Sequence, residues 1–182
     1  MKIINKGIIL PIAIVIMVLL FGCLFRTDII ISESRHFPKD PNFTIPIQDY
    51  NNKNIGIDFN AIYYYEHETV LYGVSRFSYN YYRFWPNGRV LLNYSNQLPT
   101  KEMAENFTNA YIGYYNVERN KLIVELFVPD TGRYEWNYLR VEATIEDNKI
   151  IEKLEDGGKF SQPSELSFIK HNLGKLNRTP DW

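Results

Sequence analysis

The chain has 182 residues, 20 basic against 21 acidic, for a net charge of −1. No basic block stands out, so nothing points to nucleic acid as a partner. A single cysteine rules out an intrachain disulfide, and whatever folds must be held by packing alone.

The first predicted element is N-terminal. Lys2 and Lys6 precede an uncharged run from Ile8 to Phe25, rich in Ile, Val and Leu. A basic start followed by an apolar stretch reads as a secretory signal. Its length also permits a membrane-spanning helix. Leu20-Phe21-Gly22-Cys23 resembles the bacterial lipobox: a branched apolar residue, a variable one, a small one, then cysteine. The resemblance implies cleavage before Cys23 and attachment of acyl chains there. Each buried CH₂ of such chains contributes about 0.8 kcal/mol, and two chains anchor a protein firmly. The expectation is therefore a signal peptide over 1–22 and an extracytoplasmic protein held on a bacterial membrane by its N-terminal lipid. The alternative is an uncleaved single-pass anchor, with Cys23 as one of its small apolar residues.

Residues 23–54 read as a tether, broken by Pro38, Pro41 and Pro46 and without sustained periodicity. Within it, "TDIIIS" can pair as an edge strand. From residue 55 to 156 the pattern becomes β. "FSYNYYRFW" and "RVLLNY" flank Pro86-Asn87-Gly88, a hairpin whose turn the proline lengthens. "AYIGYYNVE" and "KLIVELFV" flank Arg119-Asn120, a second hairpin. In "RYEWNYLRVEATI", Leu139, Val141, Ala143 and Ile145 alternate with Arg140, Glu142 and Thr144, predicting one buried face. Trp136 and Tyr138 fall in the polar phase, which requires either a bulge or a second apolar face. Glu146 to Lys149 turns into "IIEKLE".

Two helices are predicted. Thr100 caps a short one reaching Asn106. Residues 157–182 are assigned a C-terminal amphipathic helix and tail. Leu166, Ile169, Leu173 and Leu176 would share a face, Pro163 would sit in the first turn, and Gly174 would stop it. This helix is expected to pack outside the sheet. The fold class is mainly β: six to eight meandering antiparallel strands in an up-and-down barrel or strongly curled sheet.

"YYRFWPNGRVLL" (Tyr81–Leu92) and "IGYYNVERNKLIVELF" (Ile112–Phe127) make the region from Gly56 to Glu155 similar to the lipocalin-like, or calycin, β-barrels. That resemblance implies a barrel, hollow or filled, with a helix outside it. The Gly-x-Trp signature of true lipocalins is replaced here by "GIDFNAIYY".

No phosphate loop, HExxH, nucleophile elbow or paired-cysteine site is present, and no metal or cofactor is implied. In Glu66-His67-Glu68 the carboxylates point opposite to the imidazole along a strand, so the triplet reads as a solvated strand end. Glu125, Glu135 and Glu142 read as the polar phases of strands. Aromatic strands are the candidate site. Tyr65, Tyr79, Tyr81, Arg83, Trp85, Tyr115 and Trp136 could line a pocket, with Tyr79, Tyr81, Arg83 and Trp85 sharing one face of a strand. An arginine among inward rings would need an anion, a carboxylate or a cation–π partner. Two functions follow: a tethered barrel that binds a small apolar or amphiphilic ligand, or a filled barrel that engages another envelope protein. No catalytic residue is assigned.

Overall fold

The computed structural model describes residues 29–32, 35–38, 41–130, 135–153 and 165–182. The apolar run, the lipobox and Cys23 lie outside them. Ten strands are present: β1 (Ile29–Ser32), β2 (Arg35–Pro38), β3 (Ala61–Leu71), β4 (Val74–Phe84), β5 (Arg89–Ser95), β6 (Tyr111–Glu118), β7 (Lys121–Asp130), β8 (Glu135–Glu146), β9 (Lys149–Lys153) and β10 (Glu165–Asn172). One short helix, α1 (Lys101–Ala104), sits between β5 and β6. Strands β3 to β10 pair each with the next, all antiparallel, and β10 returns to β3. The result is a closed eight-stranded up-and-down barrel, the architecture expected from the calycin resemblance. Strands β1 and β2 form a hairpin whose second strand touches β6 in parallel at His36 and Tyr111.

Local chemistry sets the turns. At the β4–β5 connection Gly88 donates to the Trp85 carbonyl and adopts φ +78°. Pro86 thus occupies the position its ring fits, and glycine the left-handed one. A side chain at Gly88 would also collide with the Gln48 carbonyl, 2.6 Å from an ideal Cβ. This is where residues 41–60 lock on: the Tyr50 amide donates to the Pro86 carbonyl. Thr44 and Ile45 donate their amides to the outward Glu125 carboxylate at 2.6 and 3.1 Å. Residues 41–54, assigned to a tether by their prolines, therefore lie against the barrel.

The β7–β8 ladder runs without interruption from Lys121–Thr144 to Asp130–Glu135. There is no bulge, so Trp136 and Tyr138 face outward and fill a second apolar face with Phe127, Phe43 and Tyr114. Helix α1 forms as expected, with the Thr100 hydroxyl accepting from the Met103 amide.

The C-terminal helix is a correction. Residues 165–172 are strand β10, not helix. Four of its residues pair with β3 and five with β9. Leu166 and Phe168 point inward at period two, whereas Ile169, on the supposed helical stripe, is 51% exposed. A helix here would leave the edges of β3 and β9 without ladder partners, each a row of unmet amides and carbonyls. The resemblance's outer helix is replaced by the extended residues 173–182, of which Leu173, Leu176 and Trp182 pack on the outside of the barrel.

Among the described residues, the interior is filled at one end. At the end with the β4–β5, β6–β7 and β8–β9 turns, Tyr63, Phe84, Tyr115, Leu122, Val124 and Leu126 pack together. Tyr50 and Ile57 close that end from the N-terminal side, with Tyr50 stacked 5.2 Å from Tyr115. Each such buried side chain contributes roughly 1.5–3 kcal/mol.

Candidate functional site

Towards the other end the same inward positions line an open-sided cavity of about 800 Å³. Pockets for small molecules span roughly 300–1,000 Å³. Its walls are Leu92 from β5, Leu139, Val141 and Ala143 from β8, and Leu166 and Phe168 from β10. Tyr82 and Asn80 of β4 and Glu152 of β9 supply the polar atoms. The opening lies where the described part of β9 ends before β8 does. Strand β9 pairs with β8 only over Ala143–Glu146, while β8 continues back to Glu135. Beyond that point β8 has no partner on this side among the described residues. Lys121, Arg140, Glu142 and Lys153 form the rim there. Lys121 and Glu142 pair at 2.7 Å.

Glu152 is the chemical centre of this cavity. It is 6% exposed and accepts a 2.5 Å hydrogen bond from the Tyr82 hydroxyl. Burial pushes the Glu152 carboxyl above the usual carboxylate range, against the opposing pull of the Tyr82 hydrogen bond. Burial likewise raises the Tyr82 phenol well above its ordinary value, and the neighbouring carboxylate adds to this. Tyr82 therefore stays a donor at all ordinary pH, and its ring packs 4.9 Å from Phe168. A carboxylate with one fixed donor and an apolar surround favours any group that can bring it another.

The candidate residues divide into three groups. Tyr65 and Tyr115 point inward. Tyr65 packs 5.9 Å from Phe168, beside the cavity. Tyr115 is fully buried at the filled end and donates to the Trp85 carbonyl at 2.7 Å. Tyr79, Tyr81, Arg83 and Trp85 do share a face, but it is the outer one. Tyr81 donates to the Met103 carbonyl at 3.1 Å, and burial pushes its phenol up to about 12. Arg83, 1% exposed, gives its two terminal nitrogens to the Ala104 and Arg178 carbonyls at 2.9 and 2.7 Å. Its guanidinium lies 4.4 Å from the Trp85 ring, and burial lowers its pKa to about 10. Arg83 thus has carbonyl partners for its terminal nitrogens and a cation–π partner in Trp85, while its buried Nε has no hydrogen-bond partner among the described residues, and it clamps α1 and the C-terminal segment to the barrel. Trp136 stacks on Phe127 outside, 5.1 Å between centroids. The cavity brings together a different set: Tyr82, Leu92, Leu139, Val141, Glu152, Leu166 and Phe168. The sequence signal for Glu152 was its parity with Ile150, which makes it an acid on an apolar face.

Among the described residues no cluster of three His, Cys, Asp or Glu could hold a metal ion. No helix among them is long and apolar enough to cross a membrane. The chain matches no family model, no curated protein and no solved structure.

The raised Glu152 carboxyl gives a pH test. An acid whose folded pKa exceeds its unfolded value, about 4.3, contributes stability below that value. The contribution is lost as pH rises towards and through the folded value. Glu152→Gln removes this titration while keeping an acceptor for Tyr82. The variant's stability relative to the parent should rise between pH 4 and pH 8 in urea unfolding. A constant difference, or one that falls, would contradict the raised carboxyl.

Proposed function

We propose that the chain is a membrane-tethered extracytoplasmic lipoprotein whose barrel binds a small apolar or amphiphilic molecule in the half not filled by its own side chains. The observation that carries this reading is the cavity itself. An eight-stranded barrel is just wide enough either to be filled or to hold one small ligand. Here the inward residues fill one end, and from Tyr82 onward they line a space whose surface is more apolar than polar. The lipobox-like Leu20-Phe21-Gly22-Cys23 supports the tether, which would set the barrel close to a source of amphiphiles.

A second reading, an interaction lipoprotein that engages another envelope protein, has its own support. The β3–β4 hairpin stays paired to Leu71–Val74, although β5 accompanies β4 only to Tyr79 and β10 accompanies β3 only to Tyr64. It projects beyond the barrel with Val70, Tyr72, Val74 and Phe77 exposed. Exposed apolar groups on a projecting ribbon suit protein contact.

Binding separates the two. A neutral apolar fluorophore, N-phenyl-1-naphthylamine, titrated against the full chain in lipid nanodiscs with empty nanodiscs as blank, should saturate at one site. Val141→Trp, which fills the cavity, should weaken it about tenfold with the circular dichroism spectrum unchanged. Equal affinity in parent and variant would contradict the cavity reading. For the tether, Cys23→Ser should yield an unprocessed, unacylated precursor by mass spectrometry. A wild-type N-terminus still at Met1 without lipid would replace the lipid anchor by a helical one.

A further inference from the structure

The cavity has two buried ionisable groups among the described residues, the Tyr82 phenol, which stays neutral, and the Glu152 acid, and this bears on which amphiphile fits. Resting on the cavity-binding reading, we propose that the ligand carries a hydrogen-bond-donating head, an ammonium above all, which meets the Glu152 carboxylate while its apolar body lies along Leu92, Val141, Leu166 and Phe168. Glu152 is held in place on β9 by the 2.5 Å bond from Tyr82, and Tyr82 is fixed in turn by its packing on Phe168. The carboxylate is thus pre-positioned, at the wall of the cavity rather than at its rim. A ligand carboxylate brought here would place two acids together in an apolar surround, and an alkane would leave Glu152 with Tyr82 alone. An ammonium supplies three donors and a compensating charge.

The rim does not duplicate this preference. Among the described residues there, Lys121, Arg140 and Lys153 outnumber Glu142, and all four are exposed. Their long-range field favours anions weakly and is screened by salt. A cation is selected by contact with Glu152, not by steering. Wall and rim therefore predict opposite orders of ligand preference, and a binding series can tell which governs.

The probes are octylamine, octanol and octanoate, which share one chain and differ in head. Each is titrated calorimetrically at pH 7 and 0.15 M salt against the full chain in nanodiscs, with empty nanodiscs subtracted. Octylamine, protonated at this pH, should bind about tenfold or more tighter than octanoate, with octanol between them. Glu152→Gln should reduce the amine-to-carboxylate ratio to within about threefold and weaken octanol far less than octylamine. Tyr82→Phe keeps the carboxylate and should keep the order, so the assignment stays testable even if Glu152→Gln fails to fold. Octanol binding with no preference between amine and carboxylate overturns this inference and leaves the cavity reading standing. Tighter binding of octanoate that is lost in Arg140→Ala/Lys153→Ala overturns it in favour of the rim. Failure of all three to bind overturns the cavity reading, and this inference with it.

Discussion

Eight strands enclose a space only if the last finds the first, and the closing contact is Ile169–Asn172 against Ala61–Tyr64. Everything inside depends on it. With β10 seated between β3 and β9, Phe168 turns inward against Tyr82 and Tyr65, and Glu152 is trapped behind Leu166 and Phe168 instead of facing water. Remove the closing pair and the sheet has two open edges, its interior is wet, and the Glu152 carboxyl loses the burial that raises it. The cavity thus depends on closure, and its mouth lies where the described residues of β9 end at Lys153 while β8 runs for twelve residues.

The two faces of the barrel wall do different work with the same residue types. Inside, tyrosines alternate between filling and lining: Tyr115 and Tyr63 complete the packed end, Tyr82 borders the cavity. Outside, Tyr81, Arg83 and Trp85 hold down α1 and the C-terminal segment through four hydrogen bonds to three backbone carbonyls and a cation–π stack. A second outer patch of Phe127, Trp136 and Tyr138 receives the N-terminal segment at Phe43 and Asn42. Both chain ends are therefore recruited to cover apolar wall that a solitary barrel would expose.

Much of this was legible locally. Pro86-Asn87-Gly88 and Arg119-Asn120 marked their hairpins because turn chemistry is a property of a few adjacent residues. The alternation named a buried face of β8 from Val141 to Ile145, though Leu139 on the same face is 45% exposed, and Thr100 announced α1. What was not legible was decided at a distance. Leu166, Ile169, Leu173 and Leu176 satisfy a helical spacing while Leu166 and Phe168 satisfy a strand, and the arbiter is a pair of edges far away in sequence. For β4, alternation grouped Tyr79, Tyr81, Arg83 and Trp85 but could not say which face looks inward, because both faces are aromatic and both are covered. Glu152 escaped notice because one acid in a five-residue strand reads as the polar phase until its partners Leu166 and Ala143 are known to be inside.

The central claim is a barrel packed at one end and open to a small molecule at the other. Methyl-selective NMR of the full chain in nanodiscs, with xenon dissolved as a neutral apolar probe, tests it most directly. The account predicts shifts at Leu92, Leu139, Val141 and Leu166, and none at Leu122, Val124 and Leu126. Shifts confined to the exposed Val70 and Val74, or absent from both sets of interior methyls, would contradict it.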